Sequence, residues 1–327
     1  MKTGIRRFPK HPITSQKVVT FIFDGKKYTA YKGDTLASAL ISHNIKVVGR
    51  SFKYHRPRGI LTIGSEEPNA LFRVGVGSRI EPNIPATQIE IFDGLVVQSQ
   101  NRWPSLNFDL GSINSLFSRL IPAGFYYKTF MWPSSMWENY EWFIRRAAGL
   151  GKAAEDHNDP DRYEHIHYHC DVLIAGGGLS GLISAYILGS SGVKVLIADE
   201  KAELGGSLIY EDDIKIDGSK GTTWVKKIEQ QLNEMSNVKI LKRSCVFGYQ
   251  DHNFLTIAER CSDHLTGVSK SFIRQRLWKV RSKQVLIAQG MHERPQVISG
   301  NDIPGVMLSS AVRGYVNKYG VVPGRSV

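Results

Sequence analysis

The sequence predicts an α/β protein in which a small β-grasp domain is followed by a Rossmann-type nucleotide-binding domain. The first hundred residues follow the order strand, strand, helix, strands, and a glycine-rich strand–turn–helix begins at Asp171. The chain ends on "YVNKYGVVPGRSV", which predicts a helix, a turn and the first residues of a further strand. Because a buried parallel strand needs neighbours on both sides, we expect the second domain to be truncated there.

The β-grasp domain is expected over residues 1–100. Alternating apolar and polar residues in "KVVTFIFDGKKYTAYKG" predict strands at Val18–Phe23 and Lys27–Tyr31, joined by an Asp-Gly turn. "DTLASALISHNI" predicts a short helix with Asp34 or Thr35 as its N-cap. "ALFRVGVG" and "QIEIFDGLVVQSQ" predict further strands. This order is the plan of plant-type ferredoxins.

Ferredoxins of that plan carry Cys-x4-Cys-x2-Cys in the loop after the helix. The corresponding loop here, "VGRSFKYHRPRGILTIGSEEPNALF", contains no cysteine. The cysteines of the chain, Cys170, Cys245 and Cys261, are too widely spaced to predict a disulfide framework or a Cys-x-x-Cys metal site. We therefore expect no iron–sulfur cluster, a structural or interaction role for this domain, and a cytoplasmic location.

A connector of unusual composition is expected over residues 101–170. Its segment "FYYKTFMWPSSMWENYEWFIRRAAGLG" is dense in aromatic side chains. Such side chains pack in domain cores and also concentrate in subunit interfaces. The composition leaves packing between domains and a subunit interface as equal alternatives. The aromatic residues concerned are Phe125, Tyr126, Tyr127, Phe130, Trp132, Trp137, Tyr140, Trp142 and Phe143.

The segment from residue 171 to residue 327 predicts an FAD/NAD(P)-binding domain. Its apolar strand Val172–Ala175 precedes Gly176, Gly178 and Gly181, which have the Gly-x-Gly-x-x-Gly spacing. The first glycine permits the tight turn, the second lets the backbone approach a pyrophosphate, and the third lets the helix pack closely on the strand. The helix Leu179–Ser190 is then expected to direct its N-terminal amides at the phosphates.

An acidic pair follows the next strand, "VKVLIADE". Asp199 is the better placed to accept hydrogen bonds from the ribose hydroxyls, and Glu200 either shares this task or is a solvated strand end. An acid at this position repels a 2′-phosphate, which favours NAD or FAD over NADP. "LGGSL" supplies a second glycine turn that includes Gly206, and Val246 is expected beside the adenine.

Several other patterns predict no site. His165, His167 and His169 alternate on what reads as a strand, but no fourth zinc ligand shares their face. We find no group of residues arranged for catalysis, and we assign no residue to a metal site. The net charge of +12 is spread along the chain rather than collected on a basic helix, so nucleic acid is not expected as a partner. The sequence has no apolar run long enough to predict a membrane span.

Several long blocks together resemble the α subunit of heterotetrameric sarcosine oxidase, from about Ile5 to Val327. They include "RSFKYHRPRGI", "WPSLNFDLGSIN", "PAGFYYKTFMWP", "HCDVLIAGGG" and "HERPQVISGNDIPGVML". The resemblance implies a complex with β, γ and δ subunits that oxidatively demethylates sarcosine to glycine. Oxygen and tetrahydrofolate are consumed, and hydrogen peroxide and methylene-tetrahydrofolate are formed. FAD and FMN are expected in the partner subunit and at its interface, whereas the α subunit holds NAD.

The resemblance also implies which residues contact NAD. Lys201 and Ser207 stand where the family can have arginine and threonine, which are mild departures. The family's folate-binding part would begin near or after Val327, so we do not expect folate binding by that part here. The implied contacts are Gly176, Gly178, Ser180, Gly181, Asp199, Glu200, Lys201, Ser207 and Val246.

Two other functions remain open from the residues alone. The same glycine motif holds FAD in FAD-dependent amine or opine dehydrogenases and in cyanide-synthase-like subunits. A non-catalytic nucleotide-binding interaction module would also explain why no catalytic constellation is seen. The identity of the bound nucleotide separates the first alternative from an NAD-binding α subunit.

Overall fold

The computed structural model describes residues 4–119, 124, 132–147, 149–155, 158–267 and 272–324. The chain divides into two compact units, Met1–Asp159 with Arg294–Val327, and Pro160–Glu293. This division differs from the expected domains over residues 1–100, 101–170 and 171–327, which stay a prediction. Among the described helices, none is both long and apolar enough to cross a membrane.

The first unit contains a five-stranded sheet in the order β2-β1-β7-β5-β6. β1 pairs antiparallel with β2 and parallel with β7, the mixed pairing of a β-grasp sheet. Helix α1 begins after Thr35, whose side chain closes a capping box with Ser38, so Thr35 rather than Asp34 is the N-cap. The bounds are β1 Val18–Phe23, β2 Lys26–Tyr31, α1 Leu36–Ser42, β3 Gly49–Arg50, β4 Pro57–Arg58, β5 Leu71–Val74, β6 Glu81–Pro85 and β7 Leu95–Ser99.

The core of this unit joins α1 to the inner face of the sheet. Phe21, Phe72 and Leu40 are fully buried in it. The sequence-based prediction of a β-grasp domain is confirmed. β6 was not predicted, because "EPNIP" lacks the alternation and β-branched residues that indicate a strand.

A second part of the chain completes the same core. Helix α5, Ser309–Asn317, packs against it through Ala311 and Tyr315, and the Tyr315 hydroxyl donates to the Thr62 carbonyl at 2.9 Å. The helix predicted near the end of the chain is therefore present. Val321 pairs with Arg7 in an isolated antiparallel bridge instead of starting a strand of the nucleotide-binding sheet. Its partner is the N-terminal segment because α5 is held on the first unit.

The described part of the connector exposes its tryptophans. Helix α2, Trp137–Ala147, follows a short 3-10 turn. Trp132, Trp137 and Trp142 are 83%, 53% and 59% exposed, so they are not core residues of this chain as described. Phe125, Tyr126, Tyr127 and Phe130, and the side chain of Phe143, lie outside what the structure describes.

The second unit contains a six-stranded sheet in the order β12-β9-β8-β15-β14-β13. Its first four strands are mutually parallel, and β14 and β13 continue it as antiparallel strands. The predicted first strand is the end of a longer strand that also contains the three alternating histidines. The bounds are β8 Arg162–Ala175, α3 Leu179–Ser190, β9 Val195–Ala198, β10 Lys215–Ile216, β11 Ser219–Lys220, α4 Gly221–Glu234, β12 Val238–Leu241, β13 Ser244–Gln250, β14 Phe254–Arg260 and β15 Ile273–Ile287.

The two faces of this sheet bury separate clusters. On one face, Ile174, Leu182 and Leu232 belong to a cluster that joins α3 and α4 to the parallel strands. On the other face, Leu173 and Trp278 belong to a cluster with residues of β14 and β15. This layering confirms the predicted Rossmann-type unit and places the turn between β8 and α3 at the carboxyl end of the central parallel strands.

Candidate dinucleotide-binding site

The turn between β8 and α3 is held in a conformation that requires glycine. Gly176 has a φ of +112°, and its N–H donates to the Ala198 carbonyl of β9 at 2.8 Å. A Cβ at this position would overlap the Ala288 carbonyl oxygen. Positive φ and close backbone approach both exclude other residue types here. The structure thus explains the first glycine of the motif.

The other two motif glycines have different surroundings. A Cβ at Gly181 would overlap the Gly176 carbonyl oxygen, so α3 packs directly on the turn. A Cβ at Gly178 would find only the Gly206 Cα, at 3.9 Å, and Gly178 has an ordinary φ of −76°. Gly178 is therefore required neither by packing nor by backbone conformation. The open space above its backbone lies at the N-terminus of α3, where Ser180 is exposed.

Asp199 connects the end of β9 to the glycine turn. Its Oδ2 accepts from the Gly177 N–H at 2.7 Å, and its Oδ1 accepts from the Lys201 N–H at 2.8 Å. The carboxylate is oriented by these two bonds and keeps lone pairs for further donors. Glu200 contributes its carbonyl, which accepts from Arg260 at 3.1 Å. The structure places Asp199 in direct contact with the turn.

A second glycine turn lies against the first. The Gly205 N–H donates to the Gly177 carbonyl at 2.8 Å, and Gly205 and Gly206 have φ values of +116° and +57°. A Cβ at Gly206 would lie 3.0 Å from the Gly178 Cα, so the two backbones nearly touch. Ser207 follows on the 3-10 turn Gly206–Tyr210 and is exposed. The predicted residues Gly178, Gly206 and Ser207 are brought to one place.

Lys201 follows Asp199 after the end of β9, and Val246 lies on β13. The Lys201 Nζ is 3.3 Å from the Tyr210 hydroxyl and 5.0 Å from the centre of its ring. Burial lowers the pKa of Lys201, but Tyr210, Asp199 and Glu200 outweigh it and raise the pKa above its ordinary value. Lys201 therefore stays cationic at neutral pH. Val246 is half-buried on β13 and packs against the cluster that contains Leu173.

Sequence reasoning missed three residues that shape this site. Gly177 supplies the N–H that orients Asp199, Gly205 supplies the contact between the turns, and Tyr210 holds Lys201. The three consecutive glycines could have indicated Gly177, and the glycine pair in "LGGSL" could have indicated Gly205. No sequence signal identifies Tyr210, because its contact depends on the 3-10 turn.

The three alternating histidines share one exposed face of β8, as a strand requires. Among the described residues, no group of His, Cys, Asp or Glu is placed to hold a metal ion. Backbone N–H groups at the start of α3, open space above Gly178 and an oriented carboxylate fit a pyrophosphate with an attached ribose.

Two family models match the chain. The model of the NAD(P)-binding Rossmann-like domain matches residues 174–236, which include both glycine turns and Asp199. The model of the 2Fe-2S iron-sulfur cluster binding domain matches residues 16–102. This second match corrects the expectation of no iron–sulfur cluster, since it identifies the first domain with a cluster-binding family. Residues 16–102 contain no cysteine, so their donor set does not fit a cluster held by thiolates.

A solved structure supports the fold over nearly the whole chain. L-Proline dehydrogenase from P. horikoshii superposes with a TM-score of 0.62 at 20% identity, over 98% of this chain and 50% of that one. At this identity the likeness concerns the fold alone. It shows that both units described above occur together in another chain.

The sequence relatives are closer. "Sarcosine oxidase subunit alpha" of Rhizobium meliloti (strain 1021) is 48% identical over 98% of this chain, which spans 32% of that relative. "Sarcosine oxidase subunit alpha" of Corynebacterium sp. (strain U-96) is 34% identical over 96% of this chain, which spans 28% of that relative. The chain is therefore a homologue of the sarcosine oxidase α subunits along nearly all of its own length and along about a third of theirs.

Proposed function

We propose that this chain acts within the α subunit of a sarcosine oxidase complex, where it binds NAD at the β8–α3 turn and contacts partner subunits. The observation that supports this most is the 48% identity to such a subunit over 98% of the chain. The complex would oxidise the secondary amine sarcosine with O2 and pass its methyl carbon to tetrahydrofolate. Glycine, methylene-tetrahydrofolate and H2O2 are then the products. We place the complex in the cytoplasm, with β, γ and δ subunits as partners.

Within that complex, this chain's own residues bind rather than react. The N–H groups at the start of α3 and the open backbone at Gly178 would receive the pyrophosphate. Asp199 would accept hydrogen bonds from the ribose hydroxyls with the lone pairs that Gly177 and Lys201 leave. The carboxylate disfavours a 2′-phosphate, although the cationic Lys201 beside it tempers this effect. The nicotinamide would undergo no hydride transfer here.

The first experiment is to identify the nucleotide. The purified chain is denatured, and the released nucleotide is identified by its absorbance and mass. NAD without flavin is the expected result and supports an α subunit that depends on its partners for chemistry. Stoichiometric FAD would contradict the NAD assignment and favour an FAD-dependent amine dehydrogenase instead. If the chain is purified without a nucleotide, calorimetric titrations with NAD and with FAD show which of the two it binds.

Gly178→Ala should weaken NAD binding while leaving the fold unchanged. The added methyl meets no protein atom closer than 3.9 Å, but it occupies the space that the pyrophosphate needs. We expect Kd to rise at least about tenfold, the equivalent of about 1.4 kcal/mol. Calorimetry measures the affinity, and thermal unfolding without nucleotide is the control. Unchanged affinity would show that the pyrophosphate does not lie above Gly178.

Asp199→Asn and Glu200→Gln separate the two acids. The asparagine replaces an acceptor of two backbone bonds with a group that offers one acceptor oxygen, so we expect NAD binding to weaken by about 10- to 100-fold, or about 1.4 to 2.7 kcal/mol. Glu200→Gln is the matched comparison, because it removes the neighbouring charge and leaves the two backbone bonds of Asp199 in place. We expect less than about threefold loss there. A larger loss for Glu200→Gln would assign the ribose to Glu200.

A further inference from the structure

The N-terminal half of β8 is paired on one side only. β15 runs beside the strand from Arg162 to Ala175, whereas β9 pairs only with its last four residues, Val172–Ala175. Within the described ranges, no strand or bridge lies on the other side of residues 162–169. An open edge of this length is a ready template for pairing with another chain.

The backbone groups at this edge are correctly oriented to pair. The Gly176 N–H donates towards β9, to Ala198, and the Ala175 carbonyl accepts on the β15 side, from Ala288. Successive residues of a strand direct their backbone groups to alternate sides. Alternate residues between 162 and 169 therefore direct their N–H and C=O groups to the open edge.

One face beside this edge is cationic. His165, His167 and His169 are exposed there and stand in register with Leu277, Lys279 and Arg281 of β15. Among the ion pairs of the described residues, no carboxylate pairs with Lys279, Arg281 or any of these three histidines. Arg281 instead lies over the Phe254 ring of β14, at 4.7 Å, and donates to the Asp251 and His252 carbonyls, so it is engaged away from the open edge. Lys279 therefore supplies the positive charge of this face.

The opposite face beside the edge is cationic as well. The Lys194 and Lys239 ammonium groups lie 4.8 Å and 5.9 Å from the centre of the Tyr168 ring. The two carboxylates of β8 are already engaged, Glu164 with Arg276 at 2.6 Å and Asp171 with Lys283 at 2.7 Å. Positive groups thus flank the open backbone on both faces. A second copy of this edge would bring like charges together and is disfavoured.

We propose that the edge of β8 at residues 162–169 is the docking site of an extended acidic segment of another polypeptide, which adds as a further strand. Main-chain hydrogen bonds to alternate residues of the edge would give affinity, and Lys194 and Lys279 would select acidic side chains. This site goes beyond the proposed dinucleotide binding and uses none of its residues.

The test uses a fluorescein-labelled peptide of about eight residues, alternating glutamate and valine, to match the length of the open edge. Anisotropy measures its binding to the whole chain. Three further probes are compared: alternating lysine and valine, the acidic peptide N-methylated at every peptide nitrogen, and an oligothymidylate. We expect the acidic peptide to bind, and the N-methylated and lysine peptides to bind at least about tenfold more weakly. Oligothymidylate should bind more weakly than the acidic peptide.

Two charge-reversal variants locate the binding. Lys194→Glu with Lys279→Glu changes one charge on each face of the edge, and we expect affinity for the acidic peptide to fall about tenfold or more. Lys226→Glu with Lys227→Glu on α4 makes the same change in net charge elsewhere and should alter affinity less than about twofold. Failure of the acidic peptide to bind, or equal binding of its N-methylated form, would overturn the proposal. So would tighter binding of oligothymidylate, which would indicate a nucleic-acid surface.

Discussion

Asp34→Ala should lower the free energy of unfolding of the first unit by about 3–5 kcal/mol, because it leaves a buried guanidinium without its partner. The Asp34 carboxylate accepts from Arg7 at 2.9 Å, from the Tyr31 N–H at 2.9 Å and from the Ser38 hydroxyl at 2.7 Å. The Arg7 and Asp34 side chains are 4% and 0% exposed. Native-state hydrogen exchange of the amides of β1 and α1 measures the change locally.

Two variants make this result specific. Arg7→Met combined with Asp34→Ala removes both charges, so part of the lost stability should return. Glu141→Ala removes the partner of the exposed Arg145 on α2, and it should cost less than about 1 kcal/mol. An effect of Asp34→Ala no larger than that of Glu141→Ala would show that the Arg7–Asp34 pair does not hold the N-terminal segment.

Gly181→Ala should both destabilise the second unit and abolish measurable NAD binding. The new Cβ would overlap the Gly176 carbonyl oxygen, which is backbone and cannot move away as the end of a side chain can. α3 must therefore shift off the turn, at a cost of about 1–3 kcal/mol or more. The same shift misplaces the N–H groups that would receive the pyrophosphate. Urea unfolding and calorimetric titration with NAD measure the two effects.

Gly221→Ala is the matched control for this substitution. It also places a methyl group at a buried glycine near the start of a helix, but its closest contact would be an ordinary 3.4 Å to the Ile214 carbonyl oxygen. We expect stability within about 1 kcal/mol of the parent and unchanged NAD affinity. Stability of Gly181→Ala equal to that of Gly221→Ala would contradict close packing of α3 on the turn. Comparison with Gly178→Ala then separates loss of fold from loss of ligand space.

Local patterns predicted the elements whose neighbours in the fold are also neighbours in sequence. β1, the capped α1 and the strand–turn–helix at Gly176 all follow from alternation, capping residues and glycine spacing. β6 was missed because its pairing with β5 overrides a weak strand propensity. The placement of α5 on the first unit depends on contacts between Tyr315 and residues more than two hundred positions away, which no local pattern encodes.

The residues of the candidate site were likewise predicted only where a local sequence pattern indicates them. Gly176 and Gly181 were expected for the physical reasons that their geometry now supplies, although their contacts with a nucleotide stay predictions. Asp199 was expected to bind the ribose, which stays a prediction, and its bonds to the Gly177 and Lys201 N–H groups were not expected. The neighbouring turn at Gly205 and the pair Lys201–Tyr210 depend on where the chain returns after β9. The alternating histidines predict a strand but not its open edge, because sequence alone does not show where β9 stops pairing.

The bridge between Arg7 and Val321, together with α5, means that the nucleotide-binding unit is inserted within the other unit. On the ribosome, Pro160–Glu293 is complete in sequence before the first unit has received its last helix. We therefore expect the nucleotide-binding unit to finish folding before the β-grasp unit, although the β-grasp unit begins first in the sequence. Until α5 emerges, the nascent β-grasp sheet exposes the apolar surface that Tyr315 will cover, which makes it the stage at which a chaperone is needed most.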